Sequence, residues 1–172
     1  EVPSRGLGDV YKRQMLQGAT MAEQSREPDE IIIGTLLHDI GHFTSEFGTF
    51  SMEDTEDRYH EDAGAAVLEQ FFPKVITDCC RHHVAAKRYL CATDPEYFQK
   101  LSIASIHSLN LQGGPMCEAE IKDFEKNPNL KKILKVRLYD DAGKIPDMVT
   151  PSFWHFAPLV QKMVDSHCSK EK

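Results

Sequence analysis

Apolar residues in this chain recur at the spacing of a helix and almost never at that of a strand, and this narrows the fold more than any other feature. Ile32, Ile33, Leu36, Leu37 and Ile40 follow one another at helical intervals, the pattern of a helix that turns one side to a core. Strict apolar–polar alternation never lasts more than a few residues, so no half-buried strand is expected. Helices are expected at residues 16–24, from Pro28, which suits a first turn, to Gly41, and over residues 61–71, 75–90, 95–100, 118–126, 128–139 and 153–166. Residues 43–58 are polar and rich in Gly, Ser, Thr and acids, and read as a loop. With 172 residues, 41% of them hydrophobic, the chain can close one core of ordinary size, so a single all-α domain is expected.

Charge and cysteine usage remove several function classes. A net charge of −7 argues against a general nucleic-acid binder, because phosphate-backbone affinity comes from clustered Lys and Arg. The one basic cluster, Lys131, Lys132 and Lys135, has the spacing of a solvated helix face. Apolar runs such as Ile31–Ile33 are far too short to cross a bilayer, and the N-terminus has no signal-peptide pattern. The five cysteines form no Cys-x-x-Cys pair, which fits reduced thiols and a cytoplasmic protein.

Residues 1–14 stand apart. Pro3, Gly6 and Gly8 with no hydrophobic period read as a flexible arm. Asp9-Val10-Tyr11-Lys12-Arg13-Gln14 also looks like one reading frame of a transposon-end sequencing adapter. The expectation is a non-native arm over residues 1–14 and a single domain over residues 15–172 that lacks its natural N-terminal helix.

The chemistry begins at Leu36-Leu37-His38-Asp39-Ile40-Gly41-His42. An imidazole beside a carboxylate near a helix end offers two metal ligands that can converge, and His42 is expected on the same helix face as His38. His60 opens a later helix, His82-His83 lies within the next, and Asp140-Asp141 follows Arg137. A single histidine is more often a hydrogen-bonded structural residue than a ligand. A set spread over four helices is how a bundle builds an internal metal site.

This order resembles the HD superfamily, whose signature is a first His, an adjacent His-Asp pair and a distal Asp, with two further His when two metals are bound. His38-Asp39, His60, His83 and Asp140 match the dinuclear version, which implies an all-α HD-domain helical bundle with an internal dinuclear metal site. The family's first His is expected near Gln14, yet no histidine precedes His38, so truncation just past that ligand is expected.

Most HD proteins are phosphohydrolases. Three further segments, His83-Val84-Ala85-Ala86-Lys87-Arg88-Tyr89-Leu90, Gln112-Gly113-Gly114-Pro115-Met116 and Lys135-Val136-Arg137-Leu138-Tyr139-Asp140, look instead like the HD-domain phosphonate-cleaving oxygenases, relatives of 2-amino-1-hydroxyethylphosphonate dioxygenase. Cys91-Ala92-Thr93-Asp94-Pro95 is similar to their phosphonate-degradation-associated branch, which includes an enzyme acting on an N-trimethylated analogue. The resemblance implies that His38 and Asp140 hold one iron, His60 and His83 the other, and Asp39 bridges them. His42, Lys87, Ser105, Gln112 and Arg137 would line the substrate pocket, with His42 and Lys87 nearest the chemistry and Lys87 and Arg137 facing the phosphonate. Spacing agrees: Lys87 lies one turn after His83, and Arg137 one turn before Asp140.

The implied cofactors are an Fe(II)/Fe(III) pair, with dioxygen as co-substrate. The implied partner is a small-molecule organophosphonate, its amine free or N-methylated, with no nucleic acid, no membrane and the oligomeric state left open. The products would be phosphate and glycine or a methylated glycine. A metal-dependent phosphohydrolase and an inactive truncated fragment are the alternatives, separated from the oxygenase by whether phosphate release needs dioxygen.

Overall fold

The computed structural model describes residues 7–44 and 59–169, with side chains from Tyr11 onward. The loop expected over residues 43–58 therefore lies almost wholly outside the described residues, as do residues 1–6. Among the described residues every regular element is helical: α1 (Leu7–Gln24), α2 (Asp29–Leu37), a 3₁₀ turn (Ile40–Phe43), α3 (His60–Leu68), α4 (Lys74–Thr93), α5 (Pro95–Gln99), α6 (Ile103–Leu111), α7 (Glu118–Phe124), α8 (Leu130–Ala142) and α9 (Phe153–Cys168). The all-α reading holds.

Two expectations are corrected. The segment up to Gln14 is helical from Leu7 rather than an irregular arm. Residues 9–14 contain no Gly or Pro, and extending an already packed helix upstream adds a hydrogen bond per residue without a new nucleation step. Second, the helix expected to run to Gly41 stops at Leu37, and His42 lies on the 3₁₀ turn rather than above His38 on an α-helical face.

The core is built around α2, whose residues Ile31 to Leu37 are all buried. It packs against α1, α4 and α8, while α4 also meets α3, α5 and α8. Ile33, Leu36, Ile76, Leu109, Ile133, Val136 and Phe156 are among the most enclosed apolar side chains, and burying each contributes on the order of 1.5–3 kcal/mol. Cys79 and Cys80 belong to this core as free thiols.

Two glycines bring the 3₁₀ turn onto α3. A Cβ at Gly41 would stand 1.8 Å from the His60 carbonyl oxygen, and one at Gly64 would meet Cys80 Sγ at 2.7 Å and Gly41 N at 2.9 Å. Backbone on backbone at this range admits no side chain, and it places Asp39 opposite His60.

Candidate metal centre

α2 ends at Leu37, which leaves the last carbonyls of the helix without intrahelical partners. His38 uses one of them: its Nδ1 lies 2.8 Å from the Thr35 carbonyl oxygen. A carbonyl only accepts, so Nδ1 carries the proton and Nε2 is directed inward. His83 repeats the device on α4, with Nδ1 2.7 Å from the Cys80 carbonyl oxygen. His60 Nδ1 faces a carboxylate instead, lying 3.4 Å from Glu61 Oε2 at ion-pair rather than hydrogen-bond distance. Histidines whose outer nitrogen is anchored and whose inner nitrogen faces a shared point are arranged as metal ligands are.

The three inner nitrogens meet Asp39. Its Oδ2 is 3.3 Å from His38 Nε2, while its Oδ1 is 3.3 Å from His60 Nε2 and 3.1 Å from His83 Nε2. Asp140 Oδ1 approaches His38 Nε2 from α8 at 3.4 Å. Two groups of candidate ligands result, Asp39 with His60 and His83, and His38 with Asp39 and Asp140, each with its ligand atoms within 4.8 Å of one another. One carboxylate belongs to both.

The donor set fits bound cations. His60 Nε2 and His83 Nε2 face each other at 3.0 Å, an arrangement that two lone pairs tolerate only with a proton or a cation between them. The buried His38 Nε2 has no hydrogen-bond partner among the described residues. Burial opposes charge on His38, yet Asp39 and Asp140 outweigh it and raise its pKa well above the ordinary value. Burial likewise opposes charge on Asp39, but His38, His60 and His83 hold the carboxyl well below its usual range. Burial pushes His83 down to about 4, against the pull of Asp39, so it is the neutral imidazole that a metal requires. Imidazole and carboxylate without a thiolate is a set suited to first-row divalent metals.

His42 lies at the edge of this cluster. Its Nε2 is 3.9 Å from Asp39 Oδ1, and its ring stacks on those of His60 and Tyr11, each at a centroid distance of 4.0 Å. It reaches the site from the 3₁₀ turn, so the expectation of a shared α-helical face gave the right neighbourhood by the wrong route.

The expected cations lie beside the candidate ligands. Lys87 is 4% exposed and donates to Ser108 Oγ at 2.8 Å; burial, then the neighbouring Arg137, push its pKa down to about 7 against Asp140 and Asp141. Arg137 is 5% exposed, and its Nη1 pairs with Asp140 Oδ2 at 2.6 Å. Burial opposes its charge, but Asp140 and Asp141 raise its pKa further. Asp140 is lowered in turn, burial being outweighed by Arg137 and His38.

Ser105 is buried and accepts from Lys144 Nζ at 3.3 Å. Its carbonyl accepts from Ser108 Oγ at 3.1 Å, which links it to Lys87. Gln112 comes directly after α6, its buried Oε1 without a hydrogen-bond partner among the described residues.

Several residues here were not singled out from the sequence. Ser108, Lys144 and Tyr97, whose hydroxyl accepts from Arg137 Nε at 3.1 Å, come from elements or segments with no motif of their own. Asp141, one turn after Arg137, was open to detection by spacing. Gln14 stands where the first His was expected: its amide donates to Asp140 Oδ1 and, at 3.3 Å, to the Asp140 carbonyl oxygen.

Comparison with known proteins identifies the family. The HD domain family model matches residues 12–97. The chain is 74% identical over 153 residues to a (1-hydroxy-2-(trimethylamino)ethyl)phosphonate dioxygenase (glycine-betaine-forming) of Leisingera caerulea, covering 89% of this chain and 78% of that one. It is 40% identical over 151 residues to a hydroxymethylphosphonate dioxygenase of Gimesia maris, covering 87% of this chain and 75% of that one. Matches of this extent, over a bundle whose histidines and aspartates converge on one carboxylate, place the chain in the HD-domain family, among its phosphonate dioxygenases.

Proposed function

We propose that this chain cleaves the C–P bond of (1-hydroxy-2-(trimethylamino)ethyl)phosphonate with dioxygen, giving phosphate and glycine betaine, at a centre of two iron ions in the Fe(II)/Fe(III) state. The observation that carries the reading is the position of Asp39 between two ligand groups, with the cations Lys87 and Arg137 buried beside them. The similarity to the Leisingera caerulea enzyme supports the trimethylated amine.

His38, Asp39 and Asp140 would hold one ion, and Asp39, His60 and His83 the other. When bound, the pair would supply Lewis acidity and the redox capacity to activate dioxygen. Oxidising the hydroxyl-bearing carbon to a carboxylate removes as many electrons as dioxygen accepts on full reduction, so no further oxidant is needed. Water alone does not cleave an unactivated C–P bond, and this favours an oxidising centre over hydrolysis.

The remaining residues bind and orient. Lys87 and Arg137 would offer N–H donors to the phosphonate oxygens in a dry environment, where such charge-assisted bonds are strongest. His42, close to Asp39 but outside both ligand groups, would face the hydroxyl side of the substrate. Ser105 and Gln112 complete the proposed lining, Gln112 through an Oε1 with no hydrogen-bond partner among the described residues.

The test is oxygen uptake and phosphate release from 1-hydroxyphosphonates with trimethylated and free amines, and from hydroxymethylphosphonate, under air and under argon. Oxygen-dependent phosphate release that is fastest with the trimethylated substrate is expected. Phosphate release from a phosphate ester under argon, with none from the phosphonates under air, would replace this reading with a hydrolase.

A further inference from the structure

Arg137 is held from two sides, and only one of them faces the metal ligands. Its Nη1 pairs with Asp140 Oδ2 at 2.6 Å. Its other edge belongs to Asp141: Nε donates to Asp141 Oδ2 at 2.9 Å and Nη2 donates to Asp141 Oδ1. Tyr97, from α5, accepts from Arg137 Nε at 3.1 Å and donates to the same Asp141 Oδ2 at 2.6 Å. Lys144 adds a further bond to Asp141 Oδ1 at 2.9 Å. A guanidinium has five N–H donors in a rigid plane, so a partner on the Nε–Nη2 edge fixes the orientation of the whole fork. Without that partner, both terminal nitrogens are free to close on Asp140, the nearest remaining carboxylate.

We propose that Asp141, with Tyr97, is a positioning residue for anion recognition. It anchors the Nε–Nη2 edge of Arg137 so that only Nη1 reaches Asp140 and the N–H groups left over are presented to the phosphonate. The proposal rests on the reading of Arg137 as a phosphonate-binding cation. It predicts an effect opposite in sign to simple electrostatics, since neutralising Asp141 removes a negative charge near an anion site and would by charge alone tighten binding.

The experiment measures binding of hydroxymethylphosphonate to the metal-loaded protein by calorimetry without oxygen, so that no turnover is required. The variants are Asp141→Asn, Asp141→Glu, Tyr97→Phe, Arg137→Gln and the double variant Arg137→Gln/Asp141→Asn. Loss of an oriented, charge-assisted bond is expected to weaken binding by roughly ten- to hundredfold in Asp141→Asn, with part of the loss recovered in Asp141→Glu. Tyr97→Phe, which leaves the charge unchanged, is expected to weaken binding less and in the same direction. The double variant is expected to bind no worse than Arg137→Gln alone, because Asp141 acts through Arg137. Metal content and unfolding temperature, measured in parallel, identify any variant whose loss is merely structural. Equal or tighter binding by Asp141→Asn, or additive losses in the double variant, would overturn the proposal. Binding that depends on Asp141 in a protein that oxidises no phosphonate would leave this inference standing and remove the proposed function instead.

Discussion

At the scale of single residues, Asp39 divides its two oxygens between the His38 side and the His60–His83 side. Truncating it should affect both groups at once: Asp39→Ala is expected to lose both metals together by elemental analysis, and one metal kept at full occupancy would count against a shared carboxylate. Lys87 presents a different balance. Unfolded, its amine keeps a proton up to its ordinary value of 10.5; folded, it releases that proton at about 7. Between those values the unfolded chain binds more protons, so this group's contribution to stability rises with pH through that window and is lost as pH falls toward 7. Lys87→Met should therefore stabilise the metal-loaded protein by about 1–3 kcal/mol near pH 7 while flattening that slope, and should weaken phosphonate binding with metal content unchanged. Unfolding temperatures at pH 7 and pH 9 check the first part; a variant no more stable than the parent at pH 7 would refute it. His38, Asp39, His60, His83 and Asp140 could be picked out in the sequence as candidate ligands, and the fold brings them together, because such residues leave a pattern of type and order. Tyr97 and Ser108 were not, because a tyrosine or serine that steadies a cation looks like any other until the helices are assembled.

At the scale of elements, helix existence was easier to read than helix ends. α6 (Ile103–Leu111) was missed: its apolar residues do not share one buried face, Ile103 being 80% exposed, and its start is fixed by the Ser102 side chain accepting from Ser105 N, a cap with no apolar stripe behind it. The change from α2 to a 3₁₀ turn was also unreadable, since Gly41 weakens an α-helix without selecting the conformation that replaces it. The upstream part of α1 bears directly on the centre, because Gln14 engages the carboxylate of Asp140 on α8. An amide there donates to the carboxylate of a candidate ligand, whereas an imidazole could join it as a ligand. Gln14→His is expected to tighten the metal of the His38–Asp39–Asp140 group by at least ~10–100-fold and to raise oxygen-dependent phosphate release with it. Equal metal affinity and equal activity in the two proteins would show that this position lies outside the ligand set.

For the whole molecule, the candidate ligands come from α3, α4, α8 and the junction between α2 and the 3₁₀ turn, so the site assembles only when the bundle closes. Metal affinity is then linked to folding, and an ion present at a thousand times its dissociation constant adds about 4 kcal/mol of stability. For a domain of this size that corresponds to roughly 10 °C, so chelation is expected to lower the unfolding temperature of the loaded protein by that order, and readdition of metal to restore it. An unchanged unfolding temperature on complete metal removal would break the link.

Gly41 and Gly64 carry no ligand atom and no charge, yet their backbones meet where a Cβ would strike a carbonyl oxygen or a thiol. A saturation survey scored on activity alone would therefore place these two positions beside His38 and Asp39 in intolerance, and would mistake a constraint of shape for one of chemistry. Restoring the lost function with excess metal would work for a weakened ligand and fail for Gly41→Ala, whose defect is a gap between two helical segments that no ion can close.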